Sequence, residues 1–362
     1  MLLSIQYLRA IAILMVVSAH TMGGFGLRGV EFGVQAVDIF FVISGFIMMH
    51  IMHQRSQNYL EFFFARFLKI APLYYLATAL ILLTGYAYEP TFWHIVQSFS
   101  LLKVYWHKPV LTAGWTLEYE FCFYLLCSIS ILLLKNQKSR VIFLFTALIS
   151  LFVVIDLLIF NDKIYGHFLE FLLGMMCFFL RKRKFFNHLN PWACIGGIIS
   201  GFCAMIFVDI YFYNPLTFLR FIGYGIPSFV IVLLALSLEN SVSVKEIKFL
   251  KIIGDASYAI YIFHMIAIYL FSDLTNMYIQ DQPLLAAGFL FLVSIGLGVV
   301  VHFYVEKPIR RVLIPRDCAR ACFKKIYSIQ QSSTEWVRRL KSLTFSGDLR
   351  STIYRNKAVE KK

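Results

Sequence analysis

Ten runs of mostly apolar residues, each close to the length that crosses a bilayer, follow one another along the first 305 residues of this 362-residue chain. They fall at 4–24, 34–53, 70–87, 114–134, 141–160, 164–180, 192–209, 218–238, 254–272 and 284–305. A helix needs roughly 20 residues to span hydrocarbon, and inside lipid the backbone must bond to itself. The pattern predicts an all-α, polytopic integral membrane protein of about ten transmembrane helices. Composition agrees, with 59% hydrophobic residues against 15% charged, well outside the range of soluble domains. Gly196, Gly197, Gly201, Pro215 and Pro227 interrupt the seventh and eighth runs, and residues 92–102 have the pattern of a short re-entrant pair. The N-terminus imitates a signal peptide. No small-residue cleavage site follows it, and the second run begins close behind, so the first span is expected to stay in the mature protein.

Basic residues in short loops set orientation. With a cytoplasmic N-terminus, the inner loops hold thirteen Lys and Arg, from Arg55 to Lys251, while the outer loops hold five: Arg28, Lys103, Lys108, Lys163 and Arg220. Both termini are therefore expected in the cytoplasm. Past Glu306 the chain carries fifteen Lys and Arg and few acids. "TEWVRRLKSLTF" puts Trp336, Leu340 and Leu343 on one helical face, which suits an anionic leaflet as well as plain topology fixing. No soluble fold accompanies this charge, which argues against nucleic acid. Seven cysteines lie mostly in apolar runs without metal-ligand or CxxC spacing, and read as small core residues.

Ionisable groups inside hydrocarbon are costly and face a cavity or a partner. In "YLRAIAILMVVSAH", Arg9 and His20 are eleven residues apart. Three helical turns bring them to one face, roughly 16 Å apart, with Arg9 toward the cytoplasm. Asp38, near the outer end of the second span, falls at nearly the depth of His20 and is placed to orient its imidazole. Gly45 lies on nearly the face of Asp38 and permits close helix approach. In "GWTLEYEFCFY", Glu118 and Glu120 reach that depth on opposite faces, and Glu120 shares its face with Tyr124. Glu170 has a similar level, and His264 lies nearer the midplane. Arg66 and Lys69, one turn apart at the mouth of the third span beside Pro72, form with Arg9 a cationic vestibule suited to phosphates. Taken singly, each of these residues is also accounted for by topology or helix packing.

The motifs "LRAIAILMVVSAH", "GVQAVDIFFVISGFIM", "RFLKIAPLYY", "GWTLEYEFCFYLL", "GDASYAIYIFH" and "YVEKPIRR" stand in chain order. Together they resemble the acyltransferase-3 family of integral membrane acyltransferases, which O-acetylate bacterial surface polysaccharides. The resemblance covers essentially residues 1–311 and leaves 312–362 as a basic cytoplasmic tail. It implies a multi-pass protein of the bacterial inner membrane that takes an acyl group, acetyl foremost, from cytoplasmic acyl-CoA. The acceptor would be a hydroxyl of a glycan or lipid-linked saccharide, with polysaccharide assembly proteins as further partners and no bound cofactor or metal. The resemblance marks His20 as the essential residue paired with Arg9, and Arg66 with Lys69 as the basic pair. Here the second member is Lys rather than Arg, which keeps the charge and loses the bidentate fork. Ser44, Gly45 and Phe46 match a Ser-Gly-Phe stretch, Glu120 a motif glutamate, and Glu306 the start of Glu-Lys-Pro. The stand-alone length and "GWTLEYEFCFY" lean toward the exopolysaccharide O-acetyltransferase branch.

The mechanism this implies docks donor phosphates at Arg9, Arg66 and Lys69, with His20 as base and Asp38 or Glu120 holding its tautomer. Two rivals remain at this point. A proton-coupled transporter or flippase accounts equally for His20, Asp38 and His264, and a non-enzymatic assembly subunit is the third reading.

Overall fold

The computed structural model describes residues 2–24, 31–54, 58–85, 90–102, 109–154, 166–183, 189–211, 220–241, 246–279 and 281–313. Every regular element among them is helical. The chain order is α1 (Leu3–Gly23), α2 (Val37–Gln54), α3 (Tyr59–Thr84), α4 (Phe92–Ser100), α5 (Trp115–Leu133) and α6 (Gln137–Leu151). There follow α7 (His167–Lys182), α8 (Pro191–Tyr211), α9 (Ile226–Ser241), α10 (Lys248–Tyr278), α11 (Pro283–Val301) and α12 (Lys307–Leu313). Each of the ten apolar runs contains one helix among the described residues. Among the described residues, nine helical segments are long and apolar enough to cross a membrane. The sixth run is the exception, because α7 has only 16 residues. The basic tail of 314–362 lies outside the described residues.

Two boundaries differ from expectation. The third helix begins at Tyr59 rather than near residue 70, since the Asn58 side chain accepts the Leu60 N–H and Phe62, Phe63 and Phe67 pack against the core. Arg66 and Lys69 are consequently inside a helix and not in a loop. In place of a re-entrant pair, 92–102 contains the single short helix α4, pinned by Gln97 donating to Glu118 over 2.7 Å.

α1 is the axis of the bundle. Ile5, Leu8, Ile13, Val16 and Val17 are all buried and cover about half of its circumference, while Ile11 on the other side is exposed. It packs against α2, α9, α10 and α11. The first N–H groups of a helix lack internal partners. Here those of Leu3 and Ser4 donate to the Glu239 carboxylate of α9 at 3.0 and 3.2 Å. α1 and α10 run parallel, for Gln6 bonds Asp255, Arg9 bonds Ser257 and His20 faces His264. The close approach at the start of this seam requires Gly254, where a Cβ would lie 2.2 Å from the Gln6 carbonyl oxygen. Gly45 likewise lets α2 meet α7, since a Cβ there would lie 2.2 Å from the Phe171 carbonyl oxygen. α6 and α8 are mainly exposed apolar surface, including Ile142, Ile199 and Phe207, and stand at the periphery.

Candidate active site

A cavity of about 660 Å³, its mouth included, opens among α1, α2, α3, α5 and α10. Its polar end carries Arg9, Lys69, Glu120, Ser44, Ser257 and Tyr258. The walls beyond are Phe40, Phe41, Ile43 and Leu117, and the far end reaches Val37, Thr116 and Tyr261. On α2 the lining runs from Val37 to Ile47, ten residues or roughly 15 Å of helix. That length is close to the axial separation of Arg9 and His20.

The polar end is held in place by its neighbours. Arg9 Nη2 donates to the Ser257 hydroxyl over 2.8 Å, and Gln6, itself bonded to Asp255, lies 3.5 Å from Nη1. Ser44 donates to Glu120 Oε1 over 2.9 Å, and the Tyr124 hydroxyl donates to the same oxygen. The face shared by Glu120 and Tyr124 is thus used as helix spacing predicts. Tyr258 donates to the Ile70 carbonyl over 2.6 Å and ties α10 to α3. Arg66 does not line the cavity, but its charge is felt by Lys69 and by Tyr124. Glu306, in a π-helical turn at His302–Glu306, bonds His302 at 2.6 Å and pairs with Arg310 at 3.4 Å. Its charge is felt by Arg9, and that of Arg310 by Lys69.

His20 sits near the opposite end of α1 from this cluster and is not part of the cavity lining. Its Nδ1 lies 2.9 Å from the Val16 carbonyl oxygen. A carbonyl only accepts, so Nδ1 carries the hydrogen and Nε2 keeps a lone pair. The ring faces His264, with centroids 5.0 Å apart.

Neither expected carboxylate reaches His20. Asp38 is engaged by Arg220, whose Nη2 donates to it over 2.9 Å, and Glu120 by the two hydroxyls in the cavity. This corrects the expectation that Asp38 or Glu120 orients the imidazole. Asp38 leaves its helix toward Arg220, and Glu120 sits at the Arg9 end of the cavity rather than at the depth of His20. Arg220 also overturns its reading as an outer-loop charge. It is buried, bonds Gln35 at 2.8 Å and pairs with Glu170 at 3.5 Å. His167 completes the cluster, 3.3 Å from Glu170. Asp38, His167 and Glu170 have ligand atoms within 4.8 Å of one another, a spacing that suits a metal ion. The positive charge at this place is the Arg220 guanidinium. Sequence reasoning missed Arg220 and His167, and also the cavity residues Ser257, Tyr258, Tyr261 and Thr116. The spacing of 257, 261 and 264 on one helical face was the available signal.

A polytopic helical bundle with an internal cavity, cationic at one end and extending toward the end where His20 faces His264, is the architecture of an integral membrane protein with a polar site inside it. The chain belongs to the acyltransferase-3 family: residues 2–303 match the family described as "Acyltransferase domain". It is therefore a multi-pass membrane O-acyltransferase. It is 32% identical over 265 residues to the "Exopolysaccharide production protein ExoZ" of Rhizobium meliloti (strain 1021), covering 65% of this chain and 77% of that protein. No solved structure matches the chain.

Proposed function

We propose that this protein is an O-acetyltransferase of the bacterial inner membrane, with both ends in the cytoplasm, that moves acetyl from cytoplasmic acetyl-CoA to a hydroxyl of a surface exopolysaccharide or its lipid-linked precursor. The observation that carries the reading is the cavity, which begins at Arg9 and Lys69 and extends roughly 15 Å toward the end of the bundle where His20 lies. Guanidinium and ammonium groups recognise phosphates through charge-assisted bonds, and the two here hold the CoA phosphates. The walls of Phe40, Ile43 and Leu117 enclose the uncharged pantetheine arm. His20 Nε2, with its free lone pair, takes the proton of the acceptor hydroxyl. The oxygen then bonds the acyl carbon, the carbon–sulfur bond breaks, and the proton passes to the CoA thiolate. The likeness to an exopolysaccharide production protein supports the acceptor class. Family membership and the cationic cavity favour transfer over transport.

The test is mass spectrometry of surface polysaccharide from cells carrying wild-type protein, no protein, or His20→Ala. Acetyl esters are expected only in the first. Full acetylation with His20→Ala overturns the assignment of the base, and an unchanged glycan in the deletion overturns the acceptor class.

A further inference from the structure

Each hydroxyl lining the cavity brings one hydrogen that needs an acceptor. At the cationic end two are committed, since Ser44 donates to Glu120 and Tyr258 to the Ile70 carbonyl. Ser257, which accepts from Arg9, lies at that same end. At the far end, among the described residues that line the cavity, the side-chain donors are Thr116 and Tyr261, for Val37, Phe40, Phe41 and Leu117 are apolar. Both are buried, and the Thr116 hydroxyl donates to the Tyr261 hydroxyl over 2.9 Å. The Ala113 carbonyl oxygen, 3.3 Å from Thr116, is a second acceptor within its reach. With the Thr116 hydrogen on Tyr261, the Tyr261 oxygen has accepted once and its own hydrogen remains to be given. A buried donor of this kind calls for an acceptor, and the cavity is where one can enter.

We propose that Tyr261 is a catalytic residue, whose hydroxyl donates a hydrogen bond to the carbonyl oxygen of the acyl thioester and stabilises the negative charge that gathers there during transfer. The inference rests on the reading of the cavity as the acyl-CoA site. As the acceptor oxygen bonds the acyl carbon, the carbonyl π pair moves onto the carbonyl oxygen, and the Tyr261 O–H holds that oxyanion. When the pair returns to re-form the carbonyl, the carbon–sulfur bond breaks and the thiolate takes the proton that left the acceptor. The tyrosine keeps its own hydrogen throughout, and no other reactant enters. A donor fixed in place before the charge appears costs nothing to reorganise, which is the source of its effect on rate.

Position favours the acyl group as the partner. Phosphates held at Arg9 and Lys69 set the arm along Phe40, Ile43 and Leu117, and the roughly 15 Å of cavity brings the thioester to the end where Thr116 and Tyr261 lie. On the other side, the Tyr261 ring stands 5.8 Å from that of His264, which faces His20. The tyrosine is therefore between the arm and the imidazole end. Apolar walls keep the local dielectric low, where a hydrogen bond to a developing charge is strongest. A hydroxyl that accepts a bond donates a stronger one in turn, so Thr116 acts on the carbonyl through Tyr261. Removing the Tyr261 hydroxyl leaves Thr116 the Ala113 carbonyl to bond, and Tyr261→Phe deletes the donor without stranding its neighbour.

The test joins rates to binding. In membrane vesicles from producing cells that contain the full-length protein, transfer from radiolabelled acetyl-CoA to vesicle glycan is expected to fall about a hundredfold in kcat for Tyr261→Phe, while the KM for acetyl-CoA rises by no more than about fivefold. Purified full-length protein is titrated with two probes: the ketone isostere of acetyl-CoA, in which a methylene replaces sulfur, and ethyl-CoA, which keeps the whole arm but has no carbonyl. Wild-type protein should bind the ketone about fivefold more tightly, the size of one neutral hydrogen bond, and Tyr261→Phe should bind both alike. A Tyr261→Phe variant with the wild-type kcat, or one that keeps its preference for the ketone, overturns the proposal. Equal weakening of both probes also overturns it, by placing Tyr261 on the amides of the arm. If Tyr261→Phe does not fold, the wild-type titration decides, and equal affinity for the two probes overturns the proposal. Wild-type protein that binds neither probe nor CoA removes the acyl-CoA reading, and this inference with it. Binding of both probes with no preference removes this inference alone.

Discussion

Arg220 and Asp38 form an ion pair at 2.9 Å with both side chains withdrawn from solvent. Such a pair is costly to break from one side, since an uncompensated buried charge is left behind. Arg220→Ala should lower stability by about 3–5 kcal/mol, read as a fall in the unfolding midpoint of the detergent-purified protein. Adding Asp38→Asn to that variant should recover part of the loss. Asp38→Asn alone should act on stability before it acts on transfer. An Asp38 that oriented His20 would show the reverse order.

Arg9 belongs to the donor end of the cavity. Its guanidinium is held by Ser257, and bonds from charged groups contribute about 1.5–3 kcal/mol each. Arg9→Ala should weaken acetyl-CoA binding by about tenfold or more, with a smaller change in the unfolding midpoint. Titration of purified protein with CoA measures the first and thermal unfolding the second.

Glu120 is the one carboxylate lining a cavity that also holds Arg9 and Lys69. Its Oε1 is fully used by Ser44 and Tyr124. Replacing it with glutamine keeps an acceptor there and removes a charge that repels phosphates. Glu120→Gln should tighten CoA binding by a few fold, an effect on the order of 1 kcal/mol, and this gain should shrink as salt is raised. Weaker binding would show that Glu120 serves mainly to hold the cations in place.

Gly45 lies where α2 and α7 touch. Gly45→Ala brings a methyl group against the Phe171 carbonyl oxygen, and backbone shifts of this kind cost about 1–3 kcal/mol. The expected outcome is a lower unfolding midpoint with CoA affinity nearly unchanged in the fraction that remains folded. An unchanged midpoint would mean that the two helices separate freely.

What the sequence made legible follows from how local each feature is. Apolar runs bounded by charges mark helices, so all ten reappear, and α8 continues through Gly196, Gly197 and Gly201 because lipid forbids an unbonded backbone. The partnership of Glu120 with Tyr124 is an i, i+4 relation within one helix and was readable for that reason. Depth along a single helix was readable too, by counting residues from its end. Depth and azimuth across helices were not. Asp38 turns toward Arg220, Glu120 lies with Arg9 and Lys69 rather than at the level of His20, and only the packing of α1 against α10 brings His264 to His20. Arg220 was misread because a lone arginine between apolar runs looks like a loop charge until Asp38 and Glu170, 182 and 50 residues away in sequence, close on it.

The parallel seam of α1 and α10 also sets a timetable for biogenesis. Arg9 and its partner Ser257 are separated by 248 residues. At ordinary synthesis rates this interval lasts on the order of ten to fifty seconds. Throughout it the first helix has left the ribosome while its guanidinium has only Gln6 of its own helix and lacks Ser257. The first arginine to meet the membrane waits for the ninth apolar run, so insertion machinery or the lipid interface must shelter Arg9 until that run arrives.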